Sequence, residues 1–430
     1  MDTIKEMEIE KDLVYTVKPS IIEGEVTING AKNSALRLLA ASILTDENIH
    51  ILNYPDQLRD AVIHVEMLKK LGKVCKVEEG EIFISQNTDL KTKLEWDQRS
   101  IRNTLLILGG LLAKYGEGAV PLPGGCKIGE RKYDFHINIF KTLGADVWED
   151  EKYLYARSKG KLVGGIVELP LRSTGATENT LICGSLAKGV TTLLNPHLTP
   201  EVKDLINFLR KSGVHIDVFG QERIEIHGVE SLKGTQYTVL PDRMEAFSWL
   251  VAAAVSGGEL HIKNFPFNTM EVALQYLEYS GVKLFRSENE VIVKGGRCYP
   301  FEISTGAHPA IHSDIQPLFA VFGASANGLS KIIEHRYPER FAYAKDFRAM
   351  GVDAQVKGNE LHIQGGSKIT GAVVNAHDLR AGIALVFLAC LAEPGSETLI
   401  RNAWQVERGY NDIIKKLNDT GVQIKSSYKS

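Results

Sequence analysis

One phrase recurs along the chain. A helix ends on glycine, a small or branched residue follows, and apolar and polar positions then alternate. The copies are LKKLGKV, FKTLGAD, LRKSGVH, LEYSGVK, FRAMGVD and LNDTGVQ, with Gly72, Gly144, Gly213, Gly281, Gly351 and Gly421 about 70 residues apart. Each glycine falls where a helix stops in a left-handed residue, so it reads as a structural stop rather than a ligand site. The first five copies continue as two strands around a polar turn, as in KVCKVEEGEIFIS, DVWEDEKYLYARS and VDAQVKGNELHIQG.

Between these phrases lies a second repeated element, a helix that is apolar nearly all round. Its copies are AKNSALRLLAASIL, RSIRNTLLILGGLLAKYG, STGATENTLICGSLAKG, DRMEAFSWLVAAAVSGG, SDIQPLFAVFGASANG and HDLRAGIALVFLACLAE. A helix without a polar face is buried on every side. One helix per unit is therefore interior and the strands form the wall, the reverse of an ordinary α/β barrel. The pattern predicts an α/β protein of six pseudo-symmetric repeats, three around each of two axes, giving two inside-out barrel-like domains of ordinary size. The expected domains are 32–240 and 1–31 plus 241–430, with the amino-terminal segment completing a sheet of the later one.

Composition narrows the function. Of 430 residues, 50 are Lys or Arg and 53 Asp or Glu, a formal charge of −3 that offers no basic surface to a nucleic acid. At 44% apolar and 24% charged residues, the chain can bury large cores. Its longest apolar run, 381–392, falls short of the ~20 residues a membrane helix needs, so no membrane insertion is expected. The opening MDTIKEMEIEKD is acidic and has no apolar signal region, which points to the cytoplasm. Five scattered cysteines without CxxC spacing argue against zinc and against a disulfide framework. No metal-ligand cluster is visible in the sequence.

The buried helices nevertheless begin with polar residues: Lys32 and Asn33; Arg102 and Asn103; Thr177, Glu178 and Asn179; Asp242, Arg243 and Glu245; Asp314; Asp378 and Arg380. For Asp242, Glu245 and Asp378, helix capping and a functional role stand level. Lys32, Arg102 and Arg380 oppose the helix dipole, a cost that makes sense if an anion is bound there. With Arg131, Arg340 and Arg408 they make six cations drawn from both halves of the chain. The segment PLPGGCKIGER, residues 121–131, reads as a lid-like loop with Cys126 at its tip beside Lys127 and Arg131, an exposed and reactive setting. The other cysteines, Cys75, Cys183, Cys298 and Cys390, read as structural.

These residues resemble the enolpyruvyl transferase family. The matching motifs are Asn29-Gly30-Ala31-Lys32-Asn33, Leu122-Pro123-Gly124-Gly125-Cys126 with Ile128-Gly129 and Arg131, Gly175-Ala176-Thr177, Pro241-Asp242-Arg243, Asp378-Leu379-Arg380 and Arg408-Gly409-Tyr410, in matching order over nearly the whole chain. The cysteine loop is similar to the branch that acts on UDP-N-acetylglucosamine at the start of peptidoglycan synthesis, and is absent from the shikimate branch. The resemblance implies two inside-out α/β domains with the active site in the cleft between them. It implies transfer of the enolpyruvyl group of phosphoenolpyruvate to a sugar hydroxyl with release of phosphate, without cofactor or metal, and inhibition by fosfomycin at Cys126.

By that resemblance Cys126 is the general acid and Asp314 the base at the attacked hydroxyl. Lys32, Arg131 and Arg408 bind phosphate, and Arg102, Arg340 and Arg380 hold the carboxylate end and the closed state. Asn33 contacts the sugar, Asp134 the uracil, and Ser173 with Gly175 the diphosphate; Asp378 joins the substrate-binding set. The sequence departs from the family pattern at Arg37, where proline is usual, at Thr174, where valine is usual, and across Asn195-Pro196-His197-Leu198-Thr199-Pro200-Glu201. The departures fall in the acceptor half. They leave open a paralogue that enolpyruvylates another nucleotide or nucleotide sugar, and an inactive binding or regulatory copy.

Overall fold

The structure, a computed structural model, describes residues 13–98, 100–123 and 133–428. These divide into two compact units, 30–123 with 133–240 and 13–29 with 241–428. Each unit has its own hydrophobic core.

In the first unit three interior helices, α1 (Lys32–Ala41), α2 (Thr104–Tyr115) and α3 (Thr174–Leu186), pack together inside three sheets. The second unit repeats the plan with α4 (Arg243–Ser256), α5 (Gln316–Ser325) and α6 (Leu379–Cys390). All twelve residues of α6 are buried, so truncating one of its leucines to alanine would cost about 2–5 kcal/mol. All six repeat glycines have φ between 88° and 117°, the left-handed stop that the pattern requires. Among the described residues no helix is long and apolar enough to cross a membrane.

The sheets show how the repeats close. A complete one runs Ile166–Glu168, Val190–Leu194, Arg223–His227, His215–Phe219: a parallel strand, the strand after the interior helix, then a hairpin. In the sheet of the sixth repeat, the place of the second hairpin strand lies between Thr398–Arg401 and Ile424–Tyr428. Leu13–Val17 takes that place, antiparallel to both Ile424–Tyr428 and Thr398–Arg401. Gly24–Thr27 then supplies the parallel strand beside Glu259–Lys263. The amino-terminal segment thus belongs to two sheets of the second unit.

Interior helices can touch only where side chains allow it. A Cβ at Gly109 would lie 1.9 Å from Asn179 Oδ1, and one at Gly110 would lie 3.2 Å from the carbonyl oxygen of Ala40. The pair of glycines in α2 is therefore what lets it approach α3 and α1 together. Asn179 uses this closeness, donating to the Leu105 carbonyl at 3.1 Å and meeting His136 Nδ1 at 2.9 Å. Asn103 repeats the device one repeat earlier, with the Leu36 carbonyl at 2.9 Å and His64 Nδ1 at 3.1 Å. Burial, reinforced by the charges of Arg37 and Arg102 respectively, lowers His64 and His136 to a pKa of about 3. Both are neutral structural acceptors at physiological pH.

Candidate active site

In the second unit the start of α6 is capped by Asp378, whose Oδ1 accepts from Arg380 N at 2.7 Å and Ala381 N at 3.0 Å. Capping fixes the backbone of Arg380, a residue only 1% exposed. Its guanidinium lies over the Tyr410 ring at 4.9 Å, and its Nε stands 4.0 Å from Asp314 Oδ2. Nε and Nη1 of Arg380 have no hydrogen-bond partner among the described residues. A buried guanidinium with idle donors is costly in a stable protein and useful to one that binds an anion.

Asp314 sits in the short turn Ser313–Ile315 before α5, where His312 Nδ1 accepts its backbone N–H at 3.0 Å. Arg340 reaches it from Pro338–Tyr343, donating from Nη1 to Asp314 Oδ1 at 2.7 Å and to Ser313 Oγ at 3.1 Å. Burial alone would raise the Asp314 carboxyl. The charges of Arg340, His312 and Arg380 outweigh it and hold the carboxyl well below the usual carboxylate range. One oxygen is clamped by Arg340 and the other faces Arg380, so the carboxylate is fixed and ionised, able to accept a proton only as its arginine contacts yield.

Behind this pair stands Glu334, fully buried. It accepts from Thr305 Oγ1 at 2.8 Å, Ser313 Oγ at 2.7 Å, and the backbone N–H groups of Arg336 at 2.7 Å and Tyr337 at 3.0 Å. Nothing in the sequence pattern marks Glu334 except a charge just after an alternating strand. Arg408, 4% exposed, donates to Gln405 Oε1 at 2.9 Å beside the Trp404 ring.

Of the three acids with two open readings, Asp242 and Asp378 are caps; Asp242 Oδ1 accepts from Met244 N at 2.8 Å and Glu245 N at 3.1 Å. Glu245 is no cap, because Lys416 Nζ lies 2.5 Å from its Oε1. Lys416 also donates to the Thr27 carbonyl at 2.9 Å and to Asn29 Oδ1. That cation escaped sequence reading because it comes from an exposed-looking helix of the last repeat.

In the first unit Lys32 opens α1, nearly buried, with Nζ 2.7 Å from Asp60 Oδ2. The cation at that helix start thus has a carboxylate partner within the unit. Asn33 follows it and is partly exposed. Arg102, also partly exposed, precedes α2 and sends its charge toward His136. Ser173 caps α3, its Oγ accepting from Ala176 N at 3.4 Å, and a Cβ at Gly175 would lie 3.3 Å from His136 Nε2. Asp134 is exposed at the start of the helix Asp134–Thr142 that carries His136. Cys126, Lys127 and Arg131 lie outside the described residues.

The departures from the family pattern prove to be engaged in pairs. Thr174 Oγ1 hydrogen-bonds His197 Nδ1 at 2.8 Å, and His197 N donates to Thr177 Oγ1 at 3.0 Å. Arg37 Nε donates to Glu178 Oε1 at 2.8 Å, against a carboxylate whose pKa burial raises and Arg37 draws down. Of the other cysteines, Cys183, Cys298 and Cys390 are buried, but Cys75 is only half-buried. Burial pushes the Cys75 and Cys298 thiols up to about 11 and Cys390 up to about 12.

Six interior helices in two triads, with arginines gathered around an aspartate at the starts of α5 and α6, define an enolpyruvyl transferase. The sequence profile described as EPSP synthase (3-phosphoshikimate 1-carboxyvinyltransferase) matches residues 17–417, and the chain belongs to this family. Among its relatives, the UDP-N-acetylglucosamine 1-carboxyvinyltransferase of Acinetobacter guillouiae is 38% identical over 408 residues, spanning 94% of this chain and 96% of that one. The enzyme of the same name from Pelagibacter ubique is 35% identical over 406 residues, 94% of this chain and 97% of that one. The crystal structure of the enolpyruvyl transferase NikO from Streptomyces tendae shares the fold with a TM-score of 0.88 at 22% identity, over 97% of this chain and 99% of that one. EPSP synthase from Acinetobacter baumannii follows at a TM-score of 0.74 and 18% identity, over 96% of this chain and all of that one.

Proposed function

We propose that the protein transfers the enolpyruvyl group of phosphoenolpyruvate to the 3-hydroxyl of UDP-N-acetylglucosamine, releasing phosphate, as the first committed step of peptidoglycan synthesis in the cytoplasm. The observation that carries this reading is the ionised Asp314 held by Arg340 beside Arg380, in a chain 34–38% identical over most of its length to enzymes named for that acceptor.

The chemistry needs one acid and one base. Asp314 takes the proton of the attacking sugar hydroxyl as that oxygen bonds to C2 of phosphoenolpyruvate, while the Cys126 thiol protonates C3. The tetrahedral adduct then collapses. The C2–O bond to phosphate breaks, a proton leaves the new methyl group, and the enol ether and inorganic phosphate remain. Lys32, Arg131 and Arg408 take the phosphate, and Arg102, Arg340 and Arg380 take the carboxylate and balance developing charge. Asn33, Asp134, Ser173 and Gly175 serve the acceptor, Asp378 joins the substrate-binding set, and fosfomycin alkylates Cys126.

A second reading, another nucleotide or nucleotide sugar as acceptor, draws support from the Thr174–His197 and Arg37–Glu178 pairs, which alter the polar character of the helix starts that would meet it. An inactive copy is disfavoured because Cys126, Asp314 and the six cations are all retained. Phosphate release from phosphoenolpyruvate, measured across UDP-sugars and free nucleotides, tests the proposal. Fastest release with UDP-N-acetylglucosamine supports it, and faster release with another acceptor would replace it by the second reading.

A further inference from the structure

In the hairpin of strands His215–Phe219 and Arg223–His227, side chains alternate between core and solvent. Ile216, Ile224 and Ile226 are buried, and His215, Asp217, Glu225 and His227 take the outer face. The antiparallel register sets His215 opposite His227 and Asp217 opposite Glu225. The two imidazole rings lie 4.8 Å apart between centroids. Asp217 Oδ2 stands 3.0 Å from His215 Nε2 and 3.5 Å from His227 Nε2, and the three atoms all lie within 4.8 Å of one another.

Hydrogen bonding leaves this cluster incomplete. His227 Nε2 is shielded from solvent and has no hydrogen-bond partner among the described residues. With the proton on Nε2 the N–H stands 3.5 Å from Asp217 Oδ2 without forming a hydrogen bond, and in the other tautomer a lone pair faces the carboxylate; neither satisfies the nitrogen. The nearby cation Arg223 is engaged elsewhere, 3.3 Å from Glu225 and stacked 4.1 Å over Phe219. A metal ion accepts both imidazole lone pairs and balances the carboxylate. Zinc bonds of about 2.0–2.2 Å at tetrahedral angles place ligand atoms about 3.3–3.5 Å apart, close to the 3.0 and 3.5 Å from Asp217 to the two histidines, with the third separation within 4.8 Å.

We propose that His215, His227 and Asp217 form a binding site for a divalent transition-metal cation of the zinc class, outside the transferase machinery. Two imidazoles and one carboxylate suit zinc, cobalt and nickel better than calcium or magnesium, which seek all-oxygen shells. His215, 69% exposed in its side chain, closes the site from the solvent side and leaves a fourth position to water. The spacing 215, 217, 227 carries no metal signature in the sequence, because only the strand register assembles it.

The test is calorimetric titration of the full-length protein with Zn²⁺, repeated with Co²⁺ while recording visible absorption. The expected result is one ion bound per chain below millimolar concentration, with the strong d–d bands of a tetrahedral cobalt site. His227→Ala and Asp217→Asn should each weaken binding about tenfold or more, without changing turnover measured free of metal. Cys126 alkylated beforehand should leave the titration unchanged. Binding that persists undiminished in both variants, or no binding by the parent protein below millimolar Zn²⁺, overturns the proposal.

Discussion

The starts of the interior helices differ between the two units. In the first, charge is met within the protein: Lys32 by Asp60, Arg37 by Glu178, and Thr174 by His197 through a hydrogen bond. In the second, Arg340 and Arg380 converge on Asp314, with Asp378 4.0 Å from Arg340 Nε, and Arg380 keeps two donors idle. Idle donors on a buried guanidinium are a cost in an isolated fold. They become intelligible where a bound anion accepts from them.

Asp314→Asn should break that contrast most severely. The chemical step is expected to slow by about 10² to 10⁴, with a far smaller change in acceptor affinity. Because Arg340 also loses its buried partner, the melting temperature should fall, a response that a simple helix cap would not give. A near-normal rate would remove Asp314 from the chemistry.

Arg380→Met sharpens the same point from the other side. Turnover should drop by about 10² or more, while the melting temperature holds nearly level, since Asp314 keeps Arg340 as its close partner and an apolar side chain of similar length fills the space. Loss of stability and activity together would make Arg380 a scaffold residue. Stability against pH adds a milder check. The depressed Asp314 carboxyl contributes stability that is complete above the ordinary carboxylate range, about pH 4, and is lost as pH falls toward its folded value. Melting temperature followed from pH 7 to 3 should therefore fall less in Asp314→Asn than in the parent.

Gly109→Ala tests the first unit's geometry. The added methyl meets Asn179 Oδ1 at 1.9 Å, and the forced separation of α2 from α3 should cost about 1–3 kcal/mol in denaturant unfolding. The smallest effect belongs to Thr174→Val, which restores the usual residue and frees His197 Nδ1. It should change relative rates among acceptors by only a few-fold and lower stability by about 1 kcal/mol, the cost of the buried hydrogen bond that His197 loses. An identical acceptor preference before and after would separate Thr174 from recognition.

Much of this was legible in the sequence, for a physical reason. A left-handed glycine at each helix end and a helix with no polar face are local signals, and both survive in every repeat, so the two triads of helices could be counted before any coordinates. What was not legible depends on register and closure. The sixth hairpin is completed by Leu13–Val17, almost 400 residues away in the chain. The carboxylate Glu334 and the cation Lys416 gain meaning only from partners on other elements. Glu245 looked as much like a cap as Asp242 did, and only geometry distinguishes a carboxylate turned to its own helix from one turned to Lys416. Cys75 packs against the core only in part, because its strand Lys73–Glu78 is a sheet edge whose other residues, Lys73 apart, are exposed.

The central claim, transfer to UDP-N-acetylglucosamine by an arginine-held aspartate, is tested most directly by competition in one vessel. The purified protein is given limiting phosphoenolpyruvate with equal concentrations of UDP-N-acetylglucosamine, UDP-glucose and uridine diphosphate, and products are separated by mass. Product ratios report the ratio of kcat/KM values without separate kinetics. The account predicts one phosphate released per enolpyruvyl-UDP-N-acetylglucosamine formed, with that product dominant. Dominance of another enolpyruvyl product, or phosphoenolpyruvate left unconsumed, would contradict it.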